Sequence, residues 1–102
     1  MGLFDFLFGR GAVPPELRGE VQRLTEDLYR IGQLEDFLSE RPGGSFNAQC
    51  RNIRAREIGV RINEIGGFEL MEQVYKKVRK RLGQQLATHL SYSWDGIGKW
   101  VP

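Results

Sequence analysis

The sequence predicts an all-α fold, a three-helix up-down-up bundle with an apolar N-terminal arm and an aromatic C-terminal tail. Three observations carry this expectation. From Phe68 to Leu90 the apolar residues Phe68, Met71, Val74, Tyr75, Val78, Leu82, Leu86 and Leu90 recur at helical spacing. An earlier stretch repeats the pattern with Leu17, Val21, Leu24, Leu28, Ile31 and Leu38. Between them, Arg41-Pro42-Gly43-Gly44-Ser45 and Gly66-Gly67 supply two breaks and so mark out three rods.

The first helix is expected from Pro15 to about Glu40. Proline suits the first helical position because the amide it lacks would have no partner there, and Glu16 meets the positive end of the helix dipole. Glu20 with Arg23 and Glu26 with Arg30 are expected as surface pairs. Glu35 falls inside the apolar stripe. It predicts either a small rotation that brings Leu34 inward or an arginine from the next helix on the carboxylate.

Ser45 is available to cap a second helix over about Phe46 to Ile65. Its apolar residues fall in two directions, Phe46, Cys50, Ile53 and Val60 on one side and Ala55, Ile58, Ile62 and Ile65 on the other. That distribution predicts a middle helix touching both neighbours. Gly59 costs about 1 kcal/mol against alanine in a helix interior, so it marks a close backbone approach. Gly66-Gly67 is expected to reverse the chain into the third helix. The domain organisation read this way is an arm and linker at 1–14, a helical domain at 15–93 and a tail at 94–102.

The arm, Met1 to Phe8, packs five large apolar side chains around Asp5. It lacks the basic start of a signal peptide and is too short to span a bilayer. Gly2-Leu3-Phe4-Asp5 resembles the opening of short amphibian membrane-active peptides. Those peptides continue with lysines that this chain lacks, so the resemblance implies at most a weak membrane-surface association. Docking of Leu3, Phe4, Leu7 and Phe8 on the bundle or on a partner chain is the stronger expectation. In the tail, Asp95-Gly96 and Gly98 predict a turn that carries both tryptophans.

Composition narrows the function classes. The chain has 102 residues, 40% of them hydrophobic and 27% charged, as in one ordinary globular domain. Cys50 is the only cysteine, so no intrachain disulfide or thiolate cage can form, and a reducing, cytoplasmic setting is expected. His89 is the only histidine. With one thiol, one imidazole and no metal-ligand or phosphate-loop spacing, the sequence predicts neither catalysis nor a cofactor nor a metal.

Binding remains. The charge is uneven, with eight acids against five bases in Met1 to Ser45 and five against ten in Phe46 to Pro102. Leu3, Phe4, Phe8, Trp94, Ile97 and Trp100 are the candidate anchors for a protein partner or a homo-oligomer, because aromatic side chains dominate interface energetics. The alternative for the two ends is that they fold back over the bundle. Lys76, Lys77, Arg79, Lys80 and Arg81 are candidate polyanion contacts, with Arg51, Arg54, Arg56 and Arg61 adding to them, against the plainer reading of a solvated helix face. The sequence therefore predicts a non-enzymatic interaction or assembly module, with nucleic-acid binding as runner-up and membrane-surface association third.

Overall fold

A computed structural model describes residues 13–38 and 51–102. They form an all-α fold of three helices, α1 (Arg18–Leu34), α2 (Ile53–Leu82) and α3 (Gln84–Ser93). A single 3-10 turn, Pro15–Leu17, leads into α1. Pro14 holds φ −60°, ψ 146° and its carbonyl accepts the Leu17 amide at 2.9 Å. Val21, Leu24, Thr25 and Leu28 form the buried stripe of α1. The Thr25 hydroxyl is satisfied inside the core by the Val21 carbonyl at 2.8 Å.

Helix α1 stops at Leu34, short of the expected Glu40. The amides of Glu35 and Asp36 both close onto the Ile31 carbonyl, at 2.7 and 2.9 Å, and Asp36 takes φ 103°. The reversal drops Phe37 into full burial over Gly32, where a methyl group would come within 2.9 Å of the ring. Burying a whole phenylalanine outweighs extending the helix by one more turn. Glu35 resolves differently from both expectations. Leu34 stays 75% exposed and Glu35 Oε1 accepts from the Asn52 side-chain amide at 3.2 Å rather than from an arginine.

Asn52 also decides where α2 begins. Its Oδ1 accepts the Ala55 amide at 3.1 Å, its Nδ2 donates to the Asp36 carbonyl, and its own amide donates to Phe37 O. The cap is thus Asn52, and Ile53 rather than Phe46 is the first helical residue. Ser45, Phe46 and Cys50 lie outside the described residues.

Gly67, at φ 72°, ψ −162°, breaks helical geometry within α2, at the expected reversal. Side-chain pairing gives the directions of the two arms. Arg61 meets Glu20 and Arg54 meets Asp27, so the first arm (53–66) runs against α1. On the second arm (68–82), Lys77 shares a groove with Val21 and Thr25, Arg81 covers Tyr29, and Leu82 meets Gly32. That arm runs with α1 and completes the up-down-up course.

Gly83, at φ 102°, ψ 167°, ends the rod expected to continue to Leu90. Helix α3 is a separate element that buries Ala87, Leu90 and Ser93. The local signal was present: Arg79, Lys80 and Arg81 in the last turn followed by Gly83 is a helix-end pattern.

Candidate functional site

Of the six candidate partner anchors, Leu3, Phe4 and Phe8 lie outside the described residues. The other three are placed in the core, the fold-back arrangement. Trp94 is fully buried, Ile97 is 5% exposed and Trp100 is 6% exposed. Gly59 makes this possible, because the Trp94 indole occupies the space a Cβ there would need. Its Nε1 donates to the Ala55 carbonyl at 3.0 Å, so the one polar atom of the ring is satisfied inside the core. Trp100 meets Trp94 edge-on at 5.2 Å and tilts against Phe68 and Tyr75 at 5.7 and 5.5 Å. Its Nε1 donates to the Ser91 carbonyl at 3.0 Å. As anchors for another molecule these three would first have to leave their own core.

The basic candidates divide between the two arms of α2. Arg54, Arg56 and Arg61 on the first arm, and Arg51 just before it, are all held by other parts of the chain. Arg61 Nε and Nη2 donate to the two oxygens of Glu20 at 2.6 and 3.0 Å, a bidentate pair. Hydrogen bonding to Arg61 lowers the Glu20 pKa, and the same bond raises that of Arg61. Arg54 reaches Asp27 at 3.2 Å and Arg51 reaches Asp95 at 3.2 Å. Arg56 donates to the carbonyls of Ser93 and Asp95, at 3.0 and 2.8 Å, which ties down the end of α3. Glu20 therefore pairs with Arg61 rather than Arg23, and Arg30 with Asp27 rather than Glu26.

On the second arm Lys76, Arg79 and Lys80 are exposed, and none forms an ion pair among the described residues. Arg81 is positioned 4.7 Å from the centre of the Tyr29 ring. Burial raises the pKa of that tyrosine, and burial lowers the pKa of Lys77. The five expected polyanion contacts thus reduce to three open cations.

Two features had no clear signature in the sequence. A groove of about 480 Å³ runs along α1, lined by Val13, Arg18, Gly19, Val21, Gln22, Thr25, Glu26 and Tyr29, with Lys77 from the second arm. Its size is that of a ligand or peptide side-chain pocket. The second feature is a His–Asp couple. His89 Nδ1 lies 2.8 Å from Asp36 Oδ1 and 3.1 Å from Oδ2. A carboxylate accepts, so Nδ1 carries the proton in this contact and Nε2 is the open ring nitrogen. Asp36 Oδ1 also accepts the Phe37 amide at 2.6 Å. Such a couple can orient an imidazole base, yet among the described residues no hydroxyl or thiol is hydrogen-bonded to it. What it does is join the turn after α1 to α3. Fifty-three residues separate the partners, so no local pattern could reveal it. Among the described residues no group of three potential ligands could hold a metal, and no helix is long and apolar enough to cross a membrane.

No family model, no curated protein and no solved structure matches this chain.

Proposed function

We propose that the protein is a non-enzymatic interaction or assembly module, acting through the end of the bundle where α1 stops and α2 starts. The observation that supports this is a pair of large aliphatic side chains left in water there. Leu34 is 75% exposed and Ile53 is 73% exposed. Leu34 directly precedes Glu35 and Ile53 directly follows Asn52, and the side chains of Glu35 and Asn52 are hydrogen-bonded, so the two aliphatic residues lie at the same end of the bundle beside that polar pair. Covering two such side chains contributes about 1.5–3 kcal/mol each, and a cluster rimmed by polar groups is the usual make-up of an interface. A protein partner or a second copy fits this surface, in the reducing compartment that a lone cysteine favours.

The test is the double substitution Leu34→Asp with Ile53→Asp. Sedimentation over a concentration series and co-purification from the native host at low salt are compared with the parent chain. Loss of a self-associated species, or of one specific partner, is the expected result. A parent that is monomeric throughout, with the same partners retained by the double variant, defeats the reading.

A second reading, polyanion binding, is favoured by the open cations Lys76, Arg79 and Lys80. Three phosphate contacts imply weak binding with a log–log salt slope of roughly −2 to −3. A flat mobility-shift titration with duplex and single-stranded nucleic acid at low ionic strength eliminates it.

A further inference from the structure

We propose that the outer face of the second arm of α2 is self-complementary in charge, and that a second copy of the chain docks on it antiparallel. The surface involves neither Leu34 nor Ile53, so the inference does not rest on the one proposed above.

The first argument is the layout of charge. Wound at about 100° per residue, Glu69, Glu72, Lys76, Arg79 and Lys80 fall within one arc of about 100°. The buried residues Leu70, Met71, Val74 and Val78 fall on the opposite side. Glu69, Lys76, Arg79 and Lys80 are exposed, and Glu72 is half-buried. None of these charged residues forms an ion pair among the described residues, not even Glu72 with Lys76 one turn on. The face is thus acidic at one end and basic at the other, with neither end neutralised by a described neighbour.

The second argument is symmetry. A copy laid antiparallel about a two-fold axis at the level of Val74 sets Glu72 level with the partner's Lys76. It also sets Glu69 level with the partner's Arg79, with Lys80 one residue further along. The two-fold makes each of these contacts twice. A parallel copy would instead set Lys76 against Lys76 and Glu69 against Glu69. At the rim, Phe68 is 36% exposed and comes over the partner's last turn, where Gly83 has no side chain and open space around it.

The third argument separates this occupant from a nucleic acid. A phosphate backbone running along the face gains from Lys76, Arg79 and Lys80, but it meets Glu69 and Glu72 within about 16 Å of Lys80. A partner carrying both signs in reverse order satisfies the whole face, and a second copy supplies that order. Exposed ion pairs orient partners more than they hold them, so the dimer is weak and salt-sensitive.

The experiment is sedimentation of the full chain at low ionic strength over a concentration series. The parent is compared with two charge reversals, Glu69→Lys with Glu72→Lys, and Lys76→Glu with Arg79→Glu and Lys80→Glu. The parent is expected to pass from monomer to dimer, with a dissociation constant that rises about tenfold in high salt. Each reversal alone is expected to weaken association about tenfold or more. An equimolar mixture of the two is expected to restore a dimer holding one of each, because a wholly basic face then meets a wholly acidic one. The milder Glu69→Gln with Glu72→Gln leaves helix propensity almost untouched and is expected to weaken association severalfold. A parent that stays monomeric up to about 1 mM overturns the proposal, whether or not it binds duplex or single-stranded nucleic acid. A dimer that the glutamine variant and both reversals leave unchanged overturns it too, as does a mixture of folded reversals that stays monomeric. A dimer lost in Leu34→Asp with Ile53→Asp but untouched by the charge changes overturns it in favour of the other end of the bundle.

Discussion

The two arms of α2 carry nearly the same kinds of residue and use them in opposite ways. On the first arm the apolar face meets α1 and the C-terminal tail, and every arginine ends on a carboxylate or carbonyl of another element. On the second arm Leu70, Met71, Val74 and Val78 are buried as completely, but Lys76, Arg79 and Lys80 point into solvent without an ion pair among the described residues. The difference comes from neighbours. The first arm lies between α1, which offers Glu20 and Asp27, and the end of α3, which offers carbonyls of Ser93 and Asp95. The outer face of the second arm meets neither. A charged residue's role thus follows from what is packed beside its helix, since a carboxylate or carbonyl within reach holds a guanidinium and open water does not.

This contrast can be broken most directly at its apolar centre. Trp94→Ala removes the ring that fills the space over Gly59 and should cost about 3–5 kcal/mol in urea denaturation. A loss below about 1 kcal/mol would mean the tail is only laid over the first arm. The arginine contrast comes next. Arg56→Gln deletes donors to two carbonyls at a partly buried site and should cost about 2 kcal/mol, whereas Arg79→Gln on the other arm should stay within about 0.5 kcal/mol. Equal costs would erase the distinction between the arms. Gly83→Ala should destabilise by about 1 kcal/mol or more, because φ 102° is strained for any residue with a Cβ, although the space around Gly83 is open.

The smallest effect concerns pH. Arg61 holds the Glu20 pKa below its ordinary value, so the pair's contribution is complete above the unfolded carboxylate pKa. It is lost as pH falls through the lowered folded value. Thermal melts of the parent and Glu20→Gln should therefore differ by a few degrees at most at neutral pH and converge in acid. A gap that widens on acidification would contradict this sign.

Much of the fold was legible from local pattern. The stripes Val21-Leu24-Leu28, Ala55-Ile58-Ile62 and Met71-Val74-Val78 were read correctly, as were the reversal at Gly66-Gly67 and the close approach at Gly59; the second apolar direction expected of the middle helix was not, since Ile53 and Val60 are exposed. In each case the signal is a residue type acting on its own stretch of backbone. The candidate sites were less legible. Ile53 looked like a member of an apolar stripe and Leu34 like a residue that a small rotation could bring inward, and both are exposed where α1 ends early and α2 starts late. The groove along α1 needs Lys77 from the second arm to close it, and nothing in the order of residues names that neighbour.

Helical class and the breaks at Gly67 and Gly83 follow from spacing and from glycine chemistry, because those preferences act within a few residues along the chain. The helix end at Leu34, the burial of Trp94 and Trp100, the clasp between Asp36 and His89, and the division of cations into held and open sets were settled by packing. Each of these depends on groups tens of residues apart meeting in space. There, the free energy of covering one large ring or satisfying one guanidinium exceeds the few tenths of a kcal/mol by which local propensity prefers one more helical residue.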